Sequence, residues 1–192
     1  RGEEHSETLA IMNTLAIVHF RQEREREAEK LFDQILDVLR RTLGEEHPQT
    51  LSCMSNLASV YETQGHYEKA EALVRETLEI QRRTLGEAHP STLTSMGSLA
   101  IIYRDERRYD EAEPLYGKSI ELREQLVEEC PDVPGYREHL SAVYNNYANL
   151  LRSAGRLKEA DRLYRKAIEL SERLAVDFPN SSRTRHLLAG SY

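Results

Sequence analysis

Apolar residues recur along this chain on two nested scales. Within one stretch they sit at offsets of zero, three, six and seven, as Leu9, Met12, Leu15 and Ala16 do. Such offsets lie on one stripe of an α-helix with 3.6 residues per turn. The set returns forty-two residues later as Leu51, Met54, Leu57 and Ala58, and again as Leu93, Met96, Leu99 and Ala100. A second stripe follows in each unit: Ala28, Leu31, Phe32; Ala70, Leu73, Val74; Ala112, Leu115, Tyr116; Ala160, Leu163, Tyr164. The pattern predicts an all-α chain in which each unit is an antiparallel pair of helices, A and B. A short break such as Gln64-Gly65-His66 or Ser153-Ala154-Gly155 separates the two.

The punctuation between helices repeats as well. Arg41-Thr42-Leu43-Gly44-Glu45-Glu46-His47-Pro48 comes back as Arg83-Thr84-Leu85-Gly86-Glu87-Ala88-His89-Pro90, and Gly2-Glu3-Glu4-His5-Ser6 is an incomplete earlier copy. Pro48 and Pro90 suit the first turn of an A helix and push His47 and His89 into extended geometry. Gly65 and Gly155 can end an A helix in the left-handed conformation. Pro114 falls early in the third B helix, where a slight bend rather than a break is expected.

Alanines stand where the helices of a pair would cross: Ala16 with Ala28, Ala58 with Ala70, Ala100 with Ala112, Ala148 with Ala160. Small residues there permit close approach. The run Met54, Leu57, Ala58, Tyr61, Gly65, Tyr67, Ala70, Val74 resembles the tetratricopeptide repeat. The third unit matches through Met96, Leu99, Ala100, Tyr103, Tyr109, Ala112 and Tyr116, with Arg107 in the glycine position. The first has His19 and Glu25 at the aromatic positions and Glu23 at the glycine. The 42-residue period and the Leu-Gly-x-x-His-Pro link resemble the kinesin light chain type of this repeat. The resemblance implies a right-handed superhelical solenoid, one array over 1–192, with units at about 6–47, 48–89, 90–131 and 132–179 and the first helix of a fifth at 180–192.

The period then lengthens: Ala112 to Ala160 is forty-eight residues, as are Pro131 to Pro179, Leu140 to Leu188 and Tyr144 to Tyr192. Six extra residues are about 1.7 helical turns, so the third B helix and fourth A helix should be longer than their predecessors. The Phe178-Pro179-Asn180-Ser181-Ser182 link is similar to that of arrays in large bacterial signalling proteins. A chain opening on Arg1 and stopping inside a fifth A helix is expected to be part of something longer.

Composition fits a recognition module better than a catalytic domain. Residues 1–96 carry 11 Lys+Arg against 17 Asp+Glu, and 97–192 carry 15 against 16. That acidic balance disfavours nucleic acid as a partner. From Arg152 to Arg185 nine basic residues meet five acidic ones, which reads as a solvated helix face before an anion-binding patch. Two cysteines, Cys53 on the polar flank of its helix and Cys130 at a helix end, build no disulfide framework. With no long apolar run, a cytoplasmic protein without membrane contact is expected.

His5, His47 and His89 recur at one link position and cannot converge on a single ion, so they read as turn residues that cap or pack. His19, His66, His139 and His186 lack partners at ligand spacing. No nucleophile motif, phosphate loop or dinucleotide fingerprint is present. No catalytic residue, metal or cofactor is expected.

Protein binding remains. In a stacked array the A helices line a concave wall. Offsets −3, +1 and +4 from the small alanine place Asn13, Ile17 and Phe20 there, then Ser55, Ser59 and Glu62, then Gly97, Ile101 and Arg104, then Asn145, Asn149 and Arg152. Asn56 and Asn146 lie one step along. An asparagine amide both donates and accepts, so it can pair with the backbone of a bound peptide. Resemblance to kinesin-light-chain-like repeats, through Asn145-Asn146-Tyr147-Ala148 above all, implies the same use; Gly97-Ser98 departs from that motif. Ile17, Phe20 and Ile101 offer apolar pockets, and Arg104 and Arg152 could meet acidic side chains. Two other roles stay open: a self-association module, and the sensor or regulatory arm of a larger bacterial kinase, ATPase switch or protease.

Overall fold

A computed structural model describes residues 2–178, with side chains from residue 7 onward. The expected fifth A helix at 180–192, the Pro179 link and His186 lie outside the described residues, as do the side chains of the Gly2–Ser6 copy. The described residues form eight α-helices and no strand: α1 (Gly2–Arg21), α2 (Glu25–Leu43), α3 (Pro48–Thr63), α4 (Tyr67–Leu85), α5 (Pro90–Asp105), α6 (Tyr109–Glu129), α7 (Pro134–Ser153) and α8 (Leu157–Asp177). Links of three or four residues make consecutive helices antiparallel. Odd-numbered helices are the A members of their pairs and even-numbered ones the B members. The chain divides into two units between Ile102 and Tyr103, inside α5.

The helix ends follow from the link residues. Gly44 sits at φ 87°, ψ 171° and Gly86 at φ 90°, ψ 163°, a region that glycine alone adopts without strain. His47 is extended and accepts a hydrogen bond at Nδ1 from the Gln49 amide. His89 does the same for Ser91. Thr50 and Thr92, two residues past each proline, are fully buried and donate back to the carbonyls of Gly44 (2.7 Å) and Gly86 (2.8 Å). The histidines are therefore caps, and each link is closed by its own threonine.

Each A helix ends on a left-handed residue, followed by an amide that reaches back five residues. His66 bonds to Tyr61, Arg108 to Tyr103 and Arg156 to Leu151, the pattern of a Schellman cap. Gly65 and Gly155 supply the left-handed conformation in two units, at φ 74° and 78°. Glu23 and Arg107 are forced into it in the others, at φ 59° and 61°.

The crossing alanines are all buried. In the first unit the core is layered along the chain: Phe32, Ile35 and Leu36 of α2 are buried, followed by Leu51, Met54 and Leu57 of α3. Arg40 of α2 forms a two-pronged ion pair with Glu76 of α4, at 2.8 and 2.9 Å. In the second unit Tyr116 of α6 stacks on Tyr147 of α7, with ring centroids 5.5 Å apart. Glu113 accepts hydrogen bonds from both Tyr147 and Arg156, joining α6 to α7 and to the N-cap of α8.

The six extra residues go wholly into helix. α6 has 21 residues where α4 has 19, and α7 has 20 where α5 has 16. Pro114 lies inside an unbroken α6, removing one hydrogen bond from its second turn.

Three expectations change. α1 begins at Gly2 rather than near Ser6, because no proline follows His5 to hold it out of helical geometry. Leu15 is exposed and Leu9 and Met12 are half-buried, whereas their counterparts on α3 and α5 are buried. α1 packs on α2, while α3 lies between α2 and α4. Cys53, expected on a polar flank, is buried, and its thiol donates to the Phe32 carbonyl at 3.5 Å. The preceding B helix covers that side of α3.

Candidate functional site

The repeat that builds the helices also builds a cavity in register. The first is a space of about 230 Å³ lined by Leu9, Ala10 and Asn13 of α1, Ile35 and Leu39 of α2, and Gln49, Ser52 and Cys53 of α3. The next, about 370 Å³, is lined by Leu51, Ser52, Ser55, Gln81, Ser91, Thr94 and Ser95, with Asn56, Thr84 and Glu46 among its further walls. Adding forty-two to seven of the eight residues of the first gives residues of the second. In the second unit a third space, also about 370 Å³, uses Ser141, Asn145, Ala167 and Ser171. These stand on α7 and α8 where Leu9, Asn13, Ile35 and Leu39 stand on α1 and α2.

The offset −3 residues Asn13, Ser55 and Asn145 therefore each open into a cavity, and Asn56 joins Ser55 in the second. The amide side chains of Asn13, Asn56, Asn145 and Asn146 have no hydrogen-bond partner among the described residues. At offsets +1 and +4 the residues lie on the helix surface. Ile17, Phe20, Ile101 and Glu62 are half-buried, and Ser59 is exposed with its hydroxyl given to the Ser55 carbonyl. Gly97 is half-buried on α5.

Some of the polar groups are already engaged. Asn149 Oδ1 accepts from the Tyr164 hydroxyl at 2.7 Å and from Arg152 at 3.3 Å. That leaves the Asn149 amide nitrogen as a donor without a partner among the described residues. Arg104 is paired with Asp105 at 2.7 Å, so its charge is largely met within its own helix.

Sequence reasoning placed the site on A helices alone. The B helices contribute as well, through Ile35, Leu39, Gln81, Ala167 and Ser171. Offset −6 also contributes, as Ala10, Ser52 and Thr94. Extending the −3, +1, +4 series backward by one turn would have found that last row.

The electrostatics differ between cavities. Burial pushes the Cys53 thiol up to about 12, with Asp33 adding to the shift, so the first cavity has an apolar wall and a protonated thiol. The second is lined by hydroxyls and amides. In the second unit, His139 of α7 is held below its usual range by burial and by the nearby Arg123. Arg123 of α6 is itself buried and lowered to about 10, donating to Ser119 at 3.2 Å. No cluster of three metal-ligating side chains occurs among the described residues, and no described helix is long and apolar enough to cross a membrane.

Comparison with known proteins identifies the repeat and the fold. Models of the tetratricopeptide repeat match residues 7–83 and 67–125, and another matches 140–180. No curated protein matches the chain. The crystal structure of BtubC (BKLC) from P. vanneervenii is similar at TM-score 0.75 and 22% identity, over 88% of this chain and 65% of that one. A Podosopora anserina protein of nearly identical TPR-like repeats, named for kinesin light chain, is similar at TM-score 0.61 and 26% identity, covering 90% and 77%. MamA is similar at TM-score 0.58 and 14% identity, covering 87% and 80%. The BtubC and MamA likenesses are of fold, and the chain spans about two thirds of the length of BtubC.

Proposed function

We propose, from the premise that this chain belongs to the tetratricopeptide repeat family, that it is a non-catalytic scaffold binding a peptide segment of a partner protein. Repeats of this kind serve in general for protein–protein contact. The ligand runs along the A-helix face, reading Asn13, Ser55, Asn56, Asn145, Asn146 and the free amide of Asn149. Ile17, Phe20, Ser59, Glu62, Ile101, Arg104 and Arg152 flank its path. The observation that carries this reading is the cavity that returns forty-two residues on, and again in the second unit, with an offset −3 side chain in its wall. A peptide is itself a periodic ligand, and a periodic row of cavities suits one side chain per rung. Two free cysteines, one buried and one exposed, support a reducing, cytoplasmic setting.

The test replaces Asn145, Asn149 and Arg152 together by alanine and compares the peptides that each protein selects from a random display library. Loss of selection with unchanged far-ultraviolet circular dichroism supports the assignment. Identical selection by the variant contradicts it.

A second reading rests on α1. Ile11, Leu15 and Val18 lie at i, i+4 and i+7 and are all exposed, forming one apolar stripe of the kind that marks an association surface. Self-association through it would appear as concentration-dependent sedimentation that Leu15→Glu abolishes. A wild-type chain that sediments as a monomer at all concentrations excludes it.

A further inference from the structure

The second cavity has a chemistry that the first lacks. Gln81 of α4 is 6% exposed, lines the cavity, and leaves its Oε1 without a hydrogen-bond partner. Leu39 stands at the same place on α2, in the wall of the first cavity. A buried carbonyl oxygen with no donor is uncommon in a folded chain, because its lost hydration goes uncompensated.

The neighbours of Gln81 do not supply the missing proton. Ser55 donates its hydroxyl to the Leu51 carbonyl at 3.0 Å, Thr84 to Ile80 at 2.8 Å and Thr94 to Pro90 at 2.9 Å. A hydroxyl has one proton and two lone pairs, so each of these three faces its surroundings as an acceptor. Glu46 adds a carboxylate to the wall, paired with Arg83. Leu51 and Leu85 give apolar lining beside these oxygens. Asn56, Ser52, Ser91 and Ser95 add groups that donate as well as accept, so the cavity sets acceptor oxygens among mixed polar groups beside an apolar wall, in the half of the chain that carries 17 acidic against 11 basic residues.

We propose that this cavity takes a lysine side chain of the bound peptide. Its methylenes lie along Leu51 and Leu85, and its ammonium donates to Gln81 Oε1 and to the hydroxyl oxygens around it. An ammonium has three donors and no acceptor. It suits oxygens spread around a space better than a planar guanidinium, whose fork matches a carboxylate. The proposal rests on the peptide-binding reading above and names the side chain read at one rung of it.

The test uses the full 192-residue chain. Peptides are selected from a random nonapeptide display library, and one is measured by calorimetry in three forms: with its lysine, with norleucine in its place, and with the lysine acetylated. Norleucine keeps the stem and removes the ammonium. The expected result is a lysine recurring at one position, whose replacement weakens binding about ten-fold. On Gln81→Leu the same replacement should cost less than about two-fold. That variant copies Leu39 of the preceding unit, and its thermal melt checks folding; Thr94→Val is a second variant expected to reduce the lysine preference. Selected peptides with no recurrent lysine, or a lysine whose loss costs as much on Gln81→Leu, overturn the proposal. The same peptides tested on Asn56→Ala and Asn145→Ala separate the two levels. Binding lost there without a lysine preference refutes the lysine assignment alone. Binding unchanged there, or a library that yields no binder, refutes the groove and the lysine with it.

Discussion

Arg107 holds the left-handed conformation, at φ 61°, that Gly65 holds at φ 74° forty-two residues earlier. The repeat demands this geometry at the end of every A helix, because the next amide must turn back to cap it. For a residue with a Cβ the conformation costs about 1–2 kcal/mol. Part of that is regained through the smaller freedom of a non-glycine residue in the unfolded chain.

Arg107→Gly should therefore stabilise the chain by about 0.5–1 kcal/mol, raising Tm by a few degrees. Glu23→Gly should do the same, and Gly65→Ala the reverse. Calorimetric melts check all three, and a lower Tm for Arg107→Gly would contradict the strain argument.

Thr50 anchors the link by donating to the Gly44 carbonyl from a fully buried position. Thr50→Val keeps the shape and leaves that carbonyl unpaired, which should cost about 1–3 kcal/mol. Urea unfolding should show a lower midpoint with unchanged slope. Thr92→Val should behave likewise, since Thr92 makes the same bond to Gly86.

Cys53 gives a prediction in pH. Its thiol titrates near 9.0 when exposed and is pushed up to about 12 in the fold. The stability it contributes is complete below pH 9 and is lost as pH rises from there toward 12, because the unfolded chain releases the proton first. The slope from this group is at most about 1.4 kcal/mol per pH unit. Cys53→Ser, which copies Ser95 one unit on, removes it. The stability gap between wild type and variant should close as pH rises from 8.5 to 10.5, and a constant gap would refute the assignment. At pH 8 a thiol reagent should label only Cys130, the exposed cysteine, until the chain is unfolded.

Much of this was legible in the residues. The 42-residue return of Leu51, Met54, Leu57 and Ala58 announces the helix pairs, and the step to forty-eight foretells the longer α6 and α7. Glu23 and Arg107 stood out as odd residues where glycine belongs, and the structure shows why. Cys53 was misplaced because a stripe drawn on one helix cannot show which flank the previous helix covers. Ile11 and Ser95 hold the same register, yet the first is exposed and the second buried. The cavities were half legible. Asn13, Ser55 and Asn145 could be read from the A helices, but Leu39 and Gln81 looked like ordinary positions of a B helix. Their place in a wall depends on three helices meeting.

The proposed peptide lies on the A-helix face. Nuclear magnetic resonance of the labelled chain, titrated with a display-selected peptide, tests it most directly. The side-chain amide signals of Asn13, Asn56 and Asn145 should shift together as peptide is added. Shifts confined to B-helix surface residues such as Arg75 and Glu79, or to Ile11 and Leu15 on the open stripe of α1, would contradict it.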